Sequence, residues 1–142
     1  MTEQAYDKEC IALAQLETAL RLFNEGQDYF SVVTLAGAAD EILGKLLSAL
    51  GRDTSLESLT KASMAIHKHL FGEAGDKKGF ANRANRARNA LKHLNSGGSP
   101  TITLDIRQEA VDMLNRAIDN YWDLKSSLTP AMTAFSRAER AT

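Results

Sequence analysis

Residues 28 to 50, DYFSVVTLAGAADEILGKLLSAL, carry apolar side chains on most sides of a 3.6-residue repeat through their first half. A helix that offers Val32, Val33, Leu35, Ile42, Leu43, Leu46 and Leu47 in so many directions has to be wrapped by other elements. Those elements must be helical too. No stretch of the chain alternates polar and apolar residues for long enough to make a strand, whereas helical spacing recurs throughout. Ala36, Gly37, Ala38 and Ala39 keep the girth of this segment small, so a neighbouring helix can approach closely.

The remaining segments are read around that centre. A first helix is expected from about Glu3 to Asn24, with Tyr6, Leu13, Leu16, Leu20 and Phe23 on one stripe and Gly26 as its stop. Gly51 ends the second. Thr54 and Glu57 form a capping box for a third helix that carries Leu56, Leu59, Ile66 and Leu70 as far as Gly72. The fourth runs from about Lys77 to Asn95 and breaks at NSGGSP. Asp105 and Gln108 cap a fifth, with Ala110, Leu114, Ala117 or Ile118, Tyr121, Leu124 and Leu128 in register, and Thr129-Pro130 restarts the chain into a short helix with Met132 and Phe135. The predicted fold is all-α: an up-and-down bundle of four to five long helices plus a short C-terminal one. No internal repeat or linker divides it, so residues 1–142 are read as one domain, a length that buries about two thirds of the unfolded surface.

Apolar residues at 44% and charged residues at 25% fit a globular chain and suggest neither the disordered nor the membrane class. The N-terminus MTEQAYDKEC lacks the basic and apolar regions of a signal peptide, so a cytoplasmic protein without membrane contact is expected. Cys10, the only cysteine, cannot bridge internally and is expected to pack among apolar neighbours.

A formal net charge of −1 conceals segregation. Residues 61 to 95 hold eight Lys and Arg against two acids, a surplus of +6, and the remainder carries −7. Within that segment stands NRARNALKHL, residues 85 to 94. At 100° per residue, Asn82, Arg86, Asn89 and His93 fall within about 40° of one another on the fourth helix. Ala84, Ala87, Leu91 and Leu94 face roughly 140° away and would dock on the bundle. Arg88 also lies about 140° from His93, so only its long side chain could bring guanidinium and imidazole to a shared ligand.

Arg88-Asn89-Ala90-Leu91-Lys92-His93 resembles the motif of HEPN domains, an arginine and a histidine separated by four to six residues with a polar residue after the arginine. HEPN proteins are small helical bundles with this motif on a late helix, usually before another long helix. The resemblance implies a homodimer in which two motifs form one cleft, and either a metal-independent endoribonuclease or a non-catalytic module that binds a nucleotide, RNA or a protein. As an enzyme, His93 would deprotonate the ribose 2′-hydroxyl or protonate the leaving 5′ oxygen, Arg88 would stabilise charge on the phosphate, and Asn89 would orient the imidazole or the substrate. A second copy would supply the second histidine that acid and base chemistry requires. Lys77, Lys78, Arg83, Arg86 and Lys92 would then be sequence-indifferent phosphate contacts. HEPN toxins controlled by a nucleotidyltransferase typically carry a tyrosine two positions after the histidine; Asn95 stands there, which counts against that control and leaves any antitoxin partner unassigned.

A third reading is a structural bundle whose polar stripe merely meets water. Asp40 and Glu41 interrupt the most apolar helix, where one can bear on the basic helix, as a structural salt bridge or in support of the site residues, and the other reach solvent. No metal or cofactor is expected: His67 and His69 lie about 200° apart on a helix, and the Glu-x-x-His signature of di-iron bundles is absent. Gly97 and Gly98 read as a hinge, since neither the lysine nor the strand of a phosphate loop accompanies them. Tyr121 and Trp122 are expected to anchor the core or an interface.

Overall fold

A computed structural model describes residues 2–92 and 99–142. Among the described residues the chain is an all-α bundle of six helices with no strand. His93, Leu94, Asn95, Gly97 and Gly98 lie outside the described residues.

Local chemistry sets the helix ends. α1 (Lys8–Glu25) starts at Asp7, whose carboxylate accepts the Glu9 amide, and stops at Gly26, held at φ 71 with its N–H on the Leu22 and Phe23 carbonyls. It therefore begins later than the periodicity predicts, and Tyr6 stands before it, 70% exposed, instead of joining the core stripe. α2 (Tyr29–Ala49) is capped by Asp28, α3 (Ser55–Phe71) by Thr54, α5 (Ile106–Lys125) by Asp105 and α6 (Pro130–Arg140) by Thr129, with Pro130 at the start of the last. α4 spans Lys77–Lys92.

The core lies between α1, α2 and α5. Leu16 and Leu20 from α1, Val32, Val33, Leu43 and Leu47 from α2, and Leu114 from α5 are fully buried, each contributing roughly 1.5–3 kcal/mol relative to exposure. Directions follow from the contacts at the ends. Phe23 near the end of α1 meets Tyr29 at the start of α2, with ring centres 5.5 Å apart. The Arg107 guanidinium at the start of α5 sits 5.2 Å from the Phe23 ring, and Lys125 at its end pairs with Glu9 of α1 at 2.7 Å. Both α2 and α5 thus run against α1 and along one another, and the α3–α4 hairpin makes the crossover that two neighbouring helices of one direction require. α6 lies on α1 through Thr129, which donates to Glu17, and through Phe135, edge-on to Phe23 at 5.3 Å.

The hairpin is shallowly seated, with Thr60 the buried residue of α3 and Ala87 that of α4. Leu59, Ile66 and Leu70, read from periodicity as a packing stripe, are 50%, 60% and 66% exposed, because α3 touches the bundle with a different side. Tyr121 is buried, whereas Trp122 beside it is exposed. Cys10 is exposed too: it falls outside the stripe of Ala12, Leu16 and Ala19 that α1 buries.

Candidate functional site

Asp40 is the carboxylate that the apolar α2 buries, and burial without partners would be costly. Its partners come from two other helices. Arg116 Nη2 donates to Oδ2 at 2.8 Å and Asn120 Nδ2 to Oδ1 at 2.9 Å; the two residues stand one turn apart on α5. Arg88 of α4 places Nη1 3.6 Å from the same Oδ2, an ion pair rather than a hydrogen bond. The approach depends on Gly37: a Cβ there would lie 2.6 Å from Arg88 Cδ and 2.8 Å from Cγ, so the arginine stem crosses α2 where only a glycine leaves room. Arg116 also donates to the Ala84 carbonyl of α4 at 3.0 Å, and Asn120 Oδ1 accepts the Ser55 amide at the start of α3 at 2.7 Å. One carboxylate thereby ties α2 to the other three helices of this half of the fold.

The cluster is electrostatically unbalanced, with two guanidiniums against one carboxylate. Arg88 and Arg116 side chains are only 14% and 8% exposed. Burial raises the Asp40 carboxyl above its ordinary range despite Arg116 and Arg88, and burial lowers Arg116, so desolvation outweighs the pairing on both sides. The Nε atoms of Arg88 and Arg116 are buried without a hydrogen bond among the described residues. A pocket of about 220 Å³ opens onto the cluster, walled by Glu41, Lys45 and Thr54.

The other side of α4 is a shallow groove formed by Asn82, Arg83, Arg86, Asn89 and Ala90. Arg83 covers the Phe80 ring at 4.7 Å, and Arg86 donates to the Thr103 carbonyl at 3.2 Å. Lys77 and Lys78 are exposed at the head of the helix. None of these four cations forms an ion pair among the described residues.

The sequence-predicted residues therefore separate into groups. Arg88 turns inward to Asp40, whereas Asn89, its neighbour in sequence, opens onto the outer groove with Arg86; His93 lies outside the described residues. Glu41 reaches solvent and pairs with Lys45 at 3.3 Å, which holds its carboxyl below the usual range. Lys92 stands apart from the other four cations, over α2 beside Lys45 and Lys8. Arg116 and Asn120 were missed by the sequence reading. The available signal was Asp40 itself, since a carboxylate amid apolar residues demands donors, and Arg116 and Asn120 are spaced one turn apart on the facing helix.

His67 Nδ1 lies 3.1 Å from the Glu73 carbonyl oxygen and its ring packs on Phe71 at 4.7 Å, while His69 is exposed. Among the described residues no group of three or more His, Cys, Asp or Glu is placed to hold a metal ion, and no helix is long and apolar enough to cross a membrane. Comparison with family models, curated proteins and solved structures gives no match for this chain.

Proposed function

We propose that this chain is a HEPN-like module that binds the phosphate backbone of single-stranded RNA along α4, acting as a homodimer in the cytoplasm. One observation carries the reading: Lys77, Lys78, Arg83 and Arg86 lie on α4 without an ion-pair partner among the described residues, in a chain whose other segments are net acidic. A helix face of this kind attracts a polyanion by releasing its counterions and needs no base-specific contact. Asn82 and Asn89 beside the arginines supply neutral donors and acceptors for phosphate or ribose. Binding is favoured over cleavage because Arg88 and Asn89 open onto different sides of α4.

Metal-independent cleavage is the second reading, favoured by the placement of Arg88. A guanidinium seated over Gly37, facing Asp40 and with Nε unpartnered, is ordered before any ligand arrives. In that reaction the ribose 2′-oxygen forms a bond to phosphorus while the bond to the 5′ oxygen breaks. His93 and its copy in the second subunit would take one proton and return another, leaving a cyclic phosphate and a 5′-hydroxyl.

Labelled single-stranded RNA incubated with the protein in EDTA separates the two. The binding reading predicts retention of intact RNA by wild type and by His93→Ala alike. Cleavage by wild type that His93→Ala abolishes would replace it with the second reading, and absence of both retention and cleavage would leave neither.

A further inference from the structure

A second cavity, of about 390 Å³, lies on α2 between the start of α1 and the end of α4. Its floor is Ala38, Ile42 and Leu46, an aliphatic strip about 12 Å long at 1.5 Å rise per residue. Its rim is cationic: Lys8 comes from α1, Lys45 from α2 and Lys92 from α4. Glu41, the acid of the rim, is engaged by Lys45 at 3.3 Å, while Lys8 and Lys92 have no ion pair among the described residues.

We infer that this cavity is a nucleotide subsite, with the base lying on the aliphatic floor and its phosphate held by Lys8 and Lys92. Three cations against one acid select an anionic ligand, whereas a bare phosphate would leave the apolar floor unused. A flat, weakly polar ring attached to a phosphate satisfies both, and the volume falls in the range of small-molecule sites. Glu41 can accept hydrogen bonds from ribose hydroxyls or an exocyclic amine. The inference deepens the RNA reading and rests on it: the cavity lies at the end of α4, so a strand running along that helix reaches it at Lys92.

The test is methyl-detected NMR of the full chain titrated with adenosine 5′-monophosphate, ribose 5-phosphate and inorganic phosphate. Adenosine monophosphate should shift the Ile42 and Leu46 methyls saturably, and the two sugar-free or base-free phosphates should not. Lys8→Gln/Lys92→Gln, both at exposed positions, should weaken that binding about tenfold, as two exposed charge contacts together require, with the thermal midpoint unchanged. Unmoved methyls, equal shifts from ribose 5-phosphate, or undiminished binding by the double variant would overturn the subsite. Single-stranded RNA keeps the two claims apart. If wild type and the double variant bind it with the same salt dependence, the subsite fails and the α4 reading stands. If adenosine monophosphate saturates the cavity while RNA does not bind, the subsite stands and the α4 reading fails. Under the joint account the double variant lowers the salt slope by about 0.7, for the one single-strand phosphate that the two lysines hold.

Discussion

Replacing Asp40 by alanine tests the account of the buried cluster most severely. The substitution removes the acceptor for Arg116 Nη2 and Asn120 Nδ2 and the counter-charge for Arg88. The two guanidiniums respond differently. Arg88, 14% exposed, can swing outward into the pocket; Arg116, 8% exposed on the same pocket, is held by the Ala84 carbonyl of α4. One uncompensated buried cation remains, so the loss should be about 3 kcal/mol, the lower end of the range for breaking a buried pair. In a domain of this size that lowers the melting midpoint by roughly 10 °C. Urea unfolding followed by far-ultraviolet circular dichroism measures the loss, with an unchanged denaturant slope as the control on two-state behaviour. Arg116→Met in the Asp40→Ala background removes the stranded charge and should recover about 2 kcal/mol. Asp40→Asn keeps one acceptor but leaves Arg116 without a counter-charge and sets an amide against a donor, so it should cost nearly as much, about 2 kcal/mol. A loss below about 1 kcal/mol for Asp40→Ala, or a double variant less stable than the single, would refute the reasoning.

The raised Asp40 carboxyl has a pH signature. Between its raised value and the ordinary 3.8, the folded state holds a proton that the unfolded chain has released. Its contribution to stability therefore grows as pH falls through that window, and wild type should gain on Asp40→Asn in unfolding curves taken from pH 7 downward. Asn120→Ala frees the Ser55 amide and takes a donor from Asp40; it should cost about 2 kcal/mol and speed hydrogen exchange at the start of α3. Ile66→Lys, at a site 60% exposed, should change unfolding free energy by no more than about 0.5 kcal/mol.

Helix number and the capped ends were legible in the sequence because each depends on neighbouring residues. Thr54, Asp105 and Thr129 each accept the backbone amide three positions on, as caps at the places read for them, although the Glu57 side chain does not return a bond to Thr54 among the described residues. Burial was less legible. Periodicity shows that Leu59, Ile66 and Leu70 share a side of α3, but not whether anything covers that side. On α5 it identified the face of Leu114 and Tyr121. It overlooked Arg116 and Asn120 because α5 is buried from two directions, and a buried arginine is written like a solvated one. For the candidate site, spacing placed Asn82, Arg86 and Asn89 together, as the outer groove does. The inward course of Arg88 hinges on a glycine 51 positions away on another helix, and the association of Lys92 with Lys8 and Lys45 on the packing of three helices. No local pattern encodes either.

The claim at the centre is that α4 meets RNA through its unpaired cations. Fluorescence anisotropy of a labelled single-stranded RNA, titrated at several salt concentrations with wild type and Arg83→Ala/Arg86→Ala, measures it directly. Four phosphate contacts from Lys77, Lys78, Arg83 and Arg86 predict a slope of log affinity against log salt of about −2.8 or steeper, reduced by about 1.4 in the double variant. Undetectable binding at low salt, or a slope that the double variant leaves unchanged, would contradict the account.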